Sequence, residues 1–314
     1  MQTFNKKIPV DLFDVIIVGG GVAGLAAAMT AGQSGLRVLL LEKTVLGGSV
    51  AVLEEVSEYP GIEKISGWEL TQTIAKQARN TGCLLHDSIE VTGVQRSENG
   101  RFEIHCSGGD SFRARSVIVS TGGQPKLLGL KDEARFAQHG IHTCAQCAGA
   151  RYKGRDVVIA GNGSYAVRAA LHLVNLGCRV FFITGDEKIF GDVNLIKKLL
   201  NHKKFHFMDG CHVIKLTGDE ALHEIDVTDL TSGDLRKLEI EAVFAYRGIV
   251  PNSMIVNAQK DAKGFLLVDK NFMTSLPGVF AAGRIVYEDL PIQVMIGDGS
   301  RASLSAAAWL QLDA

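Results

Sequence analysis

Cys144-Ala145-Gln146-Cys147 places two sulfurs within reach of one another. At this spacing a helix start or a basic neighbour can lower the pKa of one thiol enough to make it a working thiolate. Three chemistries are open to such a pair: reversible disulfide exchange, half of a structural zinc site with His142 as a third ligand, or two inert buried thiols. Zinc needs a fourth ligand, usually from a second Cys-x-x-Cys or His pair at short spacing, and none lies near in the sequence. No metal is therefore expected. The redox reading is favoured by what flanks the pair, two copies of a dinucleotide-binding βαβ unit.

In the first copy, Asp14-Val15-Ile16-Ile17-Val18 is a short apolar run suited to a buried parallel strand, and Gly19-Gly20-Gly21-Val22-Ala23-Gly24 follows at once. Leu25 to Ala31 reads as a helix ending near Gly35, and Arg37-Val38-Leu39-Leu40-Leu41 as a second strand closed by Glu42. Gly19 makes the tight turn, Gly21 lets a pyrophosphate approach the backbone, and Gly24 permits close helix packing. Glu42 is placed to accept hydrogen bonds from a ribose diol. Downstream, Ser66-Gly67-Trp68-Glu69 reads as a capping box opening a helix to about Asn80. Strands follow around Glu90–Arg96, Arg101–Cys106 and Ser111–Ser120, separated by turns at Asn99-Gly100 and Gly108-Gly109. Thr121-Gly122-Gly123 then marks an exit from the first domain.

The second copy lies on the first without a gap. Gly19 falls on Gly161, Gly21 on Gly163, Gly24 on Ala166, Gly35 on Gly177, Arg37 on Arg179, and Asp14-Val15 on Asp156-Val157. At the same offset Glu42 falls on Thr184, followed by Gly185-Asp186-Glu187-Lys188. No arginine is present there for a 2′-phosphate, which would meet Asp186 and Glu187 with only Lys188 nearby. NADPH is disfavoured on charge; NADH remains open if Asp186 can reach the ribose. The alternative is a fold that has lost its ligand and survives as scaffold.

The 314 residues suffice for two domains, and 33 Lys+Arg against 34 Asp+Glu leave no electrostatic footprint for nucleic acid or lipid. Hydrophobic residues make up 46% of the chain without any run of membrane-spanning length. The opening Met1 to Lys7 shows no apolar signal segment, so a cytoplasmic protein is expected. Cys83, Cys106, Cys178 and Cys211 sit singly, which does not suggest a disulfide-stapled framework.

Together these features resemble the low-molecular-weight thioredoxin reductases, FAD enzymes with a redox disulfide in the second domain. The resemblance covers nearly all of the chain. It includes Glu58-Tyr59-Pro60-Gly61, Ser120-Thr121-Gly122, Gly248-Ile249-Val250-Pro251-Asn252 and Thr274 to Gly283. It implies an α/β fold of two Rossmann-like domains, the FAD domain discontinuous over 1–122 and 248–314, with 123–247 inserted and carrying the cysteines. Gly122-Gly123 and Arg247-Gly248 are candidate hinges.

By resemblance FAD is held by Gly19, Gly21, Gly24, Glu42, Lys43 and Gly48, by Thr121 and Gly122, and by Gly283, Arg284, Gln293 and Val294. A helix beginning near Gln293 is then expected to aim its N-terminus at the flavin pyrimidine. Gly161, Gly163, Ser164, Tyr165 and Ala166 form a second dinucleotide site. Cys147 is implied to face the flavin and Cys144 to exchange with a partner.

Four positions depart from the family. Thr184 to Lys188 replace an arginine-rich signature, Ala148 stands where an aspartate moves protons, Arg284 where an aspartate holds the ribityl chain, and Ser49 where a glutamine is expected. With Ala148 unable to shuttle protons, His142 is the nearest titratable candidate. Losing the arginines while keeping the cysteines resembles two atypical branches, one fed by ferredoxin and one, the diflavin-linked disulfide oxidoreductases, carrying a second FAD.

The expected function is an FAD-dependent disulfide oxidoreductase that exchanges electrons with a thioredoxin-like protein or a small dithiol without using NADPH. The alternatives are a conventional NAD(P)H thioredoxin reductase, a small-molecule dithiol oxidase, and a non-enzymatic flavin-binding redox sensor. A homodimer is expected from the family alone, with no nucleic-acid or membrane partner.

Overall fold

The computed structural model describes residues 12–57, 59–185, 188–288 and 290–312. Expectations resting on Met1 to Lys7, Glu58, Asp186 and Glu187 lie outside the described residues. The chain divides into two compact units, Met1–Gly123 with Pro251–Ala314, and Gln124–Val250. The expected boundaries at 122 and 248 thus shift to 123 and 251. Asn252 N–H still bonds to Gly122 O inside the first unit, and Lys126 N–H to Gly248 O inside the second.

The first stretch of chain contributes β1 (Leu12–Val18), α1 (Val22–Gln33), β2 (Val38–Leu41), α2 (Gly67–Asn80), β3 (Leu84–His86), β4 (Val91–Arg96), β5 (Phe102–Cys106), β6 (Ser111–Val119) and β7 (Gly123–Pro125). Then come β8 (Ile141–His142), α3 (Ala145–Ala148), β9 (Asp156–Gly161), α4 (Ser164–Asn175), β10 (Arg179–Ile183), α5 (Val193–Leu200), β11 (Phe205–Met208), β12 (Cys211–Gly218), β13 (Leu222–Asp229), β14 (Leu235–Glu239), β15 (Ala242–Tyr246) and β16 (Ile249–Pro251). The return segment adds β17 (Val279–Ala281) and α6 (Ile292–Leu312).

In the first unit a sheet runs β3-β2-β1-β6-β5-β4, with β17 also on β6. Strands β3, β2, β1, β6 and β17 are mutually parallel, while β5 and β4 join antiparallel. A parallel strand covered on both faces must be apolar, and the buried end of β1, Val15 to Val18, is, while Asp14 near its start is only half-buried and pairs with Arg115. Val15 and Ile17 enter the core under α1, α2 and α6, whereas Phe13, Ile16 and Val18 enter the core on the opposite face. Helix α2 starts where its capping box dictates: Ser66 Oγ accepts from Glu69 N–H, and the Glu69 carboxylate accepts from Ser66 N–H.

Helix α6 lies close on α1 because Gly299 has no side chain; a Cβ there would come within 2.0 Å of Ala23 O. The same helix buries Asp298, whose Oδ2 has no hydrogen-bond partner. Burial holds its carboxyl above the ordinary 3.8, opposed only by the nearby Arg301 charge. A carboxyl raised in this way holds its proton more tightly folded than unfolded. Its contribution to stability is complete below pH 3.8 and is lost as the pH rises through the raised value. Asp298→Asn, which cannot ionise, should therefore be more stable than the parent at neutral pH by on the order of 1 kcal/mol and melt higher. That advantage should vanish in melts below pH 3.8.

In the second unit a wholly parallel sheet runs β11-β10-β9-β15-β8. Residues of β9 alternate between its faces: Val157 and Ile159 pack under α4, and Val158 and Ala160 pack on the side of a three-stranded antiparallel sheet, β12-β13-β14. The sheet places the C-terminal ends of β9, β10, β11 and β15 along one edge, where ligands bind in open α/β folds.

Candidate functional site

The first glycine turn is built by close approach. Gly19 has φ +104°, and a Cβ on it would lie 2.4 Å from Ser120 O. Ser120, buried, donates its hydroxyl to the carbonyl of Gly19 at 2.9 Å, a role the sequence reading did not assign to it. A Cβ on Gly24 would fall 1.9 Å from Gly19 O, so α1 can start this close to the turn only with glycine there. Gly21 faces the other way: a Cβ would meet nothing within 4 Å.

The first turn of α1 carries no acidic residue and no side-chain cap, so its leading N–H groups face open space beside Gly21. Glu42 is fixed at the end of β2, where its carboxylate accepts from Gly20 N–H at 2.7 Å and from Thr44 N–H at 2.9 Å. An open anion cradle next to an anchored carboxylate fits the pyrophosphate and ribose of an ADP moiety, the half that FAD shares with other dinucleotides.

The other expected FAD residues have these positions. Lys43 pairs with Glu90 at 2.7 Å on the surface. Gly48 opens a short 3-10 turn with φ +57°. Thr121 is locked to Asn252 by two reciprocal bonds, Thr121 Oγ1–H to Asn252 O and Asn252 Nδ2–H to Thr121 O. Gly122 has φ +58° and open space above it. Gly283 has φ +77° and approaches Ala23 so closely that a Cβ would lie 2.8 Å from the alanine methyl. Arg284 donates from Nε to Glu288 O at 3.0 Å. Helix α6 opens at Ile292, leaving Gln293 and Val294 exposed in its first turn.

In the second unit α4 begins after Gly163, with Ser164, Tyr165 and the buried Ala166 in its first turn. A Cβ on Gly161 would lie 2.2 Å from Tyr246 O, so β9 and β15 leave room only for glycine. Thr184 is buried at the end of β10 and donates its hydroxyl to Asp209 Oδ1 at 3.0 Å. Gly185 follows with φ +71°, and a Cβ there would lie 3.0 Å from His212 Nε2.

Cys144 and Cys147 are joined as a disulfide. Both sulfurs are thereby engaged with each other, and His142 is engaged elsewhere, so the three residues do not form the zinc half-site considered from sequence. Among the described residues no group of three or more His, Cys, Asp or Glu gathers to hold a metal. Cys144 precedes the short helix α3, and its Sγ accepts from Cys147 N–H at 3.1 Å. Reduction would leave a thiolate on Cys144 with a hydrogen-bond donor already in place. Cys147 is the more exposed of the two.

His142 is not a loop residue. It belongs to β8, is 3% exposed, and shares a hydrogen bond of 2.7 Å between Nε2 and Tyr152 OH, with its ring against Phe244. Burial first, then the Arg151 and His139 charges, keeps its pKa below the ordinary 6.5. The ring is thus neutral at physiological pH, and Tyr152 is its immediate partner.

Tyr246, at the end of β15, was not anticipated. Its hydroxyl accepts from Ala145 N–H at 2.8 Å, directly after Cys144. Burial pushes its pKa up to about 12, so it serves as a neutral acceptor. Tyr246→Phe keeps the ring and frees that N–H to turn to the Cys144 thiolate. The disulfide should become easier to reduce, its potential rising by about 20 mV, the equivalent of one ordinary hydrogen bond. A thiol-disulfide titration against a glutathione couple reads this directly, with the flavin potential as the unchanged internal reference.

The family model for pyridine nucleotide-disulphide oxidoreductase matches residues 13–307. The chain is similar to a thioredoxin reductase of Helicobacter pylori, 30% identical over 313 residues that cover 96% of this chain and 99% of that one. Among solved structures, the thioredoxin reductase of Lactococcus lactis superposes with a TM-score of 0.90 at 27% identity, covering 96% of this chain and 99% of that one. That of T. acidophilum superposes at 0.88 with 31% identity, covering 95% and 98%. No helix among the described residues is long and apolar enough to cross a membrane. A match of this extent, on a chain with two glycine-turn folds and a joined Cys144–Cys147 pair, settles the family: the chain belongs to the pyridine nucleotide-disulphide oxidoreductases, as a thioredoxin reductase-like, flavin-dependent disulfide oxidoreductase.

Proposed function

We propose that the enzyme reduces the disulfide of a thioredoxin-like protein through Cys144 and Cys147, and that its electrons come from a donor other than NADPH. The observation that carries the first half is the Cys144–Cys147 disulfide with Cys147 N–H on Cys144 Sγ. The names of its relatives point to the same class of partner. A bound FAD supplies a two-electron carrier able to reduce the pair.

In the reduced chain, the Cys144 thiolate attacks one sulfur of the partner disulfide. A mixed disulfide forms and the other partner sulfur leaves as a thiolate. Cys147 gives its proton to that leaving sulfur, and its thiolate then attacks Cys144 Sγ, which restores the Cys144–Cys147 bond and releases the partner's other sulfur as a thiolate. Two electrons and the Cys147 proton have passed to the partner, and water supplies the second proton of its dithiol. Cys144 suits the exchanging role because the Cys147 amide stabilises its thiolate. His142, neutral and tied to Tyr152, is the proposed proton acceptor in the absence of a carboxylate at Ala148.

The second half rests on the end of β10. Thr184 and Gly185 stand where 2′-phosphate-binding arginines would be needed, and Gly185 holds φ +71°, a conformation that disfavours a side chain there. Ferredoxin, or a second FAD on Gly161, Gly163, Ser164, Tyr165 and Ala166, would then supply the electrons. FAD on Gly19, Gly21, Gly24 and Glu42, and dimerisation, are part of the same reading. The relatives' names favour a conventional NAD(P)H reductase as the second reading.

An anaerobic titration with NADPH and then NADH, following flavin absorbance, separates the two. No bleaching by either, with full reduction by dithionite, is the expected result. Prompt bleaching by NADPH would return the enzyme to the conventional reductases.

A further inference from the structure

The nucleotide edge of the second unit has lost its acid at the end of β10, where Thr184 occupies the position of Glu42. The structure places another acid beside it. Strands β10 and β11 run parallel with Ile183 opposite Met208, so the next residues, Thr184 and Asp209, emerge side by side at the C-terminal edge. Thr184 Oγ1 donates to Asp209 Oδ1 at 3.0 Å. The threonine is buried and the aspartate exposed, so the hydroxyl orients a carboxylate that remains open to solvent and to a ligand. In the first unit the corresponding register, Leu41 opposite His86, sets Asp87 beside Glu42, so the neighbouring-strand acid is common to both units and only the second lacks an acid at the end of its own strand, β10.

We infer that Asp209, oriented by Thr184, accepts the ribose hydroxyls of an adenosine at the second glycine turn and so selects dinucleotides that lack a 2′-phosphate. A carboxylate accepts from a 2′,3′-diol, whereas a phosphate on the 2′-oxygen removes one donor and sets like charges together. Asp209 is the residue that discriminates; Thr184 is a positioning residue. Gly185, at φ +71°, follows Thr184 without a side chain, so no arginine stands there to offset that repulsion. The ligand class is an adenosine with a free ribose diol, as in NADH, ADP-ribose or the ADP half of FAD.

This rests on the reading of an NADPH-independent oxidoreductase, but the two fail separately. Bleaching by NADPH would end the first reading, whereas equal affinity for ADP-ribose and its 2′-phosphorylated analogue would end only the present one.

The test is calorimetric titration of the flavin-loaded enzyme with ADP-ribose and with its 2′-phosphorylated analogue. The parent should prefer ADP-ribose by about tenfold or more, the range of a hydrogen bond to a charged group. Asp209→Asn should weaken ADP-ribose by about tenfold and the analogue less, so that the preference collapses. Thr184→Val should move the preference the same way by a smaller factor, about threefold, as expected of a neutral hydrogen bond that only orients. Equal affinities in the parent, or a preference unmoved in Asp209→Asn, would overturn the inference. If ADP-ribose fails to bind, flavin content decides: a second flavin per chain that is lost in Asp209→Asn supports it, and a single flavin in both proteins overturns it.

Discussion

Cys147→Ser should abolish turnover of a protein disulfide, lowering it by at least about 10³-fold, while trapping the partner on Cys144. Serine at 147 keeps the backbone N–H that points at Cys144 Sγ, so the Cys144 thiolate remains stabilised and can still attack. What is lost is the second attack that resolves the mixed disulfide. Cys144→Ser should lose the same activity without trapping anything, because the stabilised sulfur itself is gone. Intact-mass measurement after incubation with an oxidised thioredoxin distinguishes the two. Trapping by Cys144→Ser instead would reverse the proposed order of the cysteines. Neither change should cost the fold more than about 2 kcal/mol, since the disulfide closes a very short loop. Flavin content, set in the other unit, should be unaltered.

Gly24→Ala should expel the flavin. The added methyl would sit 1.9 Å from the carbonyl of Gly19, a backbone atom held by Ser120, so neither side can yield without opening the contact between β1 and α1. A cost of about 3 kcal/mol or more is expected, with flavin affinity falling by about 10²-fold as the leading N–H groups of α1 move off the pyrophosphate. The purified variant should be pale, and its melting temperature should fall even when FAD is added in excess. The second unit provides the control, because Ala166 at the corresponding position is accommodated with 1% exposure. A yellow, stable Gly24→Ala protein would mean that the first cradle is not the flavin's.

Much of this could be read along the chain because the constraints are local. The glycines at 19, 24 and 161 answer to backbone approaches that no side chain survives, and the capping box at Ser66 and Glu69 is a matter of three residues. The gapless register between Gly19 and Gly161 therefore marked both βαβ units correctly. The antiparallel sheet β12-β13-β14 went unremarked, although Gly218 and the Thr231-Ser232-Gly233 turn divide its strands.

What escaped the sequence was whatever depends on partners distant in the chain. Asp209 follows the strand next to that of Thr184, so a comparison made position by position registers the loss of an acid at 184 and not the neighbouring carboxylate that the Thr184 hydroxyl holds. Tyr246 reaches Ala145 across the parallel sheet, and His142 turns inward to Tyr152 and Phe244. None of these contacts leaves a mark on local spacing. The redox reading of the cysteine pair is favoured over zinc and inert thiols by the flanking folds, and not by the pair itself, because all three need the same two sulfurs.

The other four cysteines, Cys83, Cys106, Cys178 and Cys211, are all buried, and burial pushes every one of their thiols up, Cys106 to about 11. The chain therefore contains a built-in bookkeeping of charge: a reductant added under argon has nowhere to deposit electrons except the one disulfide and the bound flavin. Each takes a pair, so the equivalents consumed at the endpoint report cofactor stoichiometry without any extinction coefficient. After that endpoint, a maleimide dye should label the Cys144–Cys147 pair alone, giving a fluorescent handle on the native enzyme with no cysteine removed.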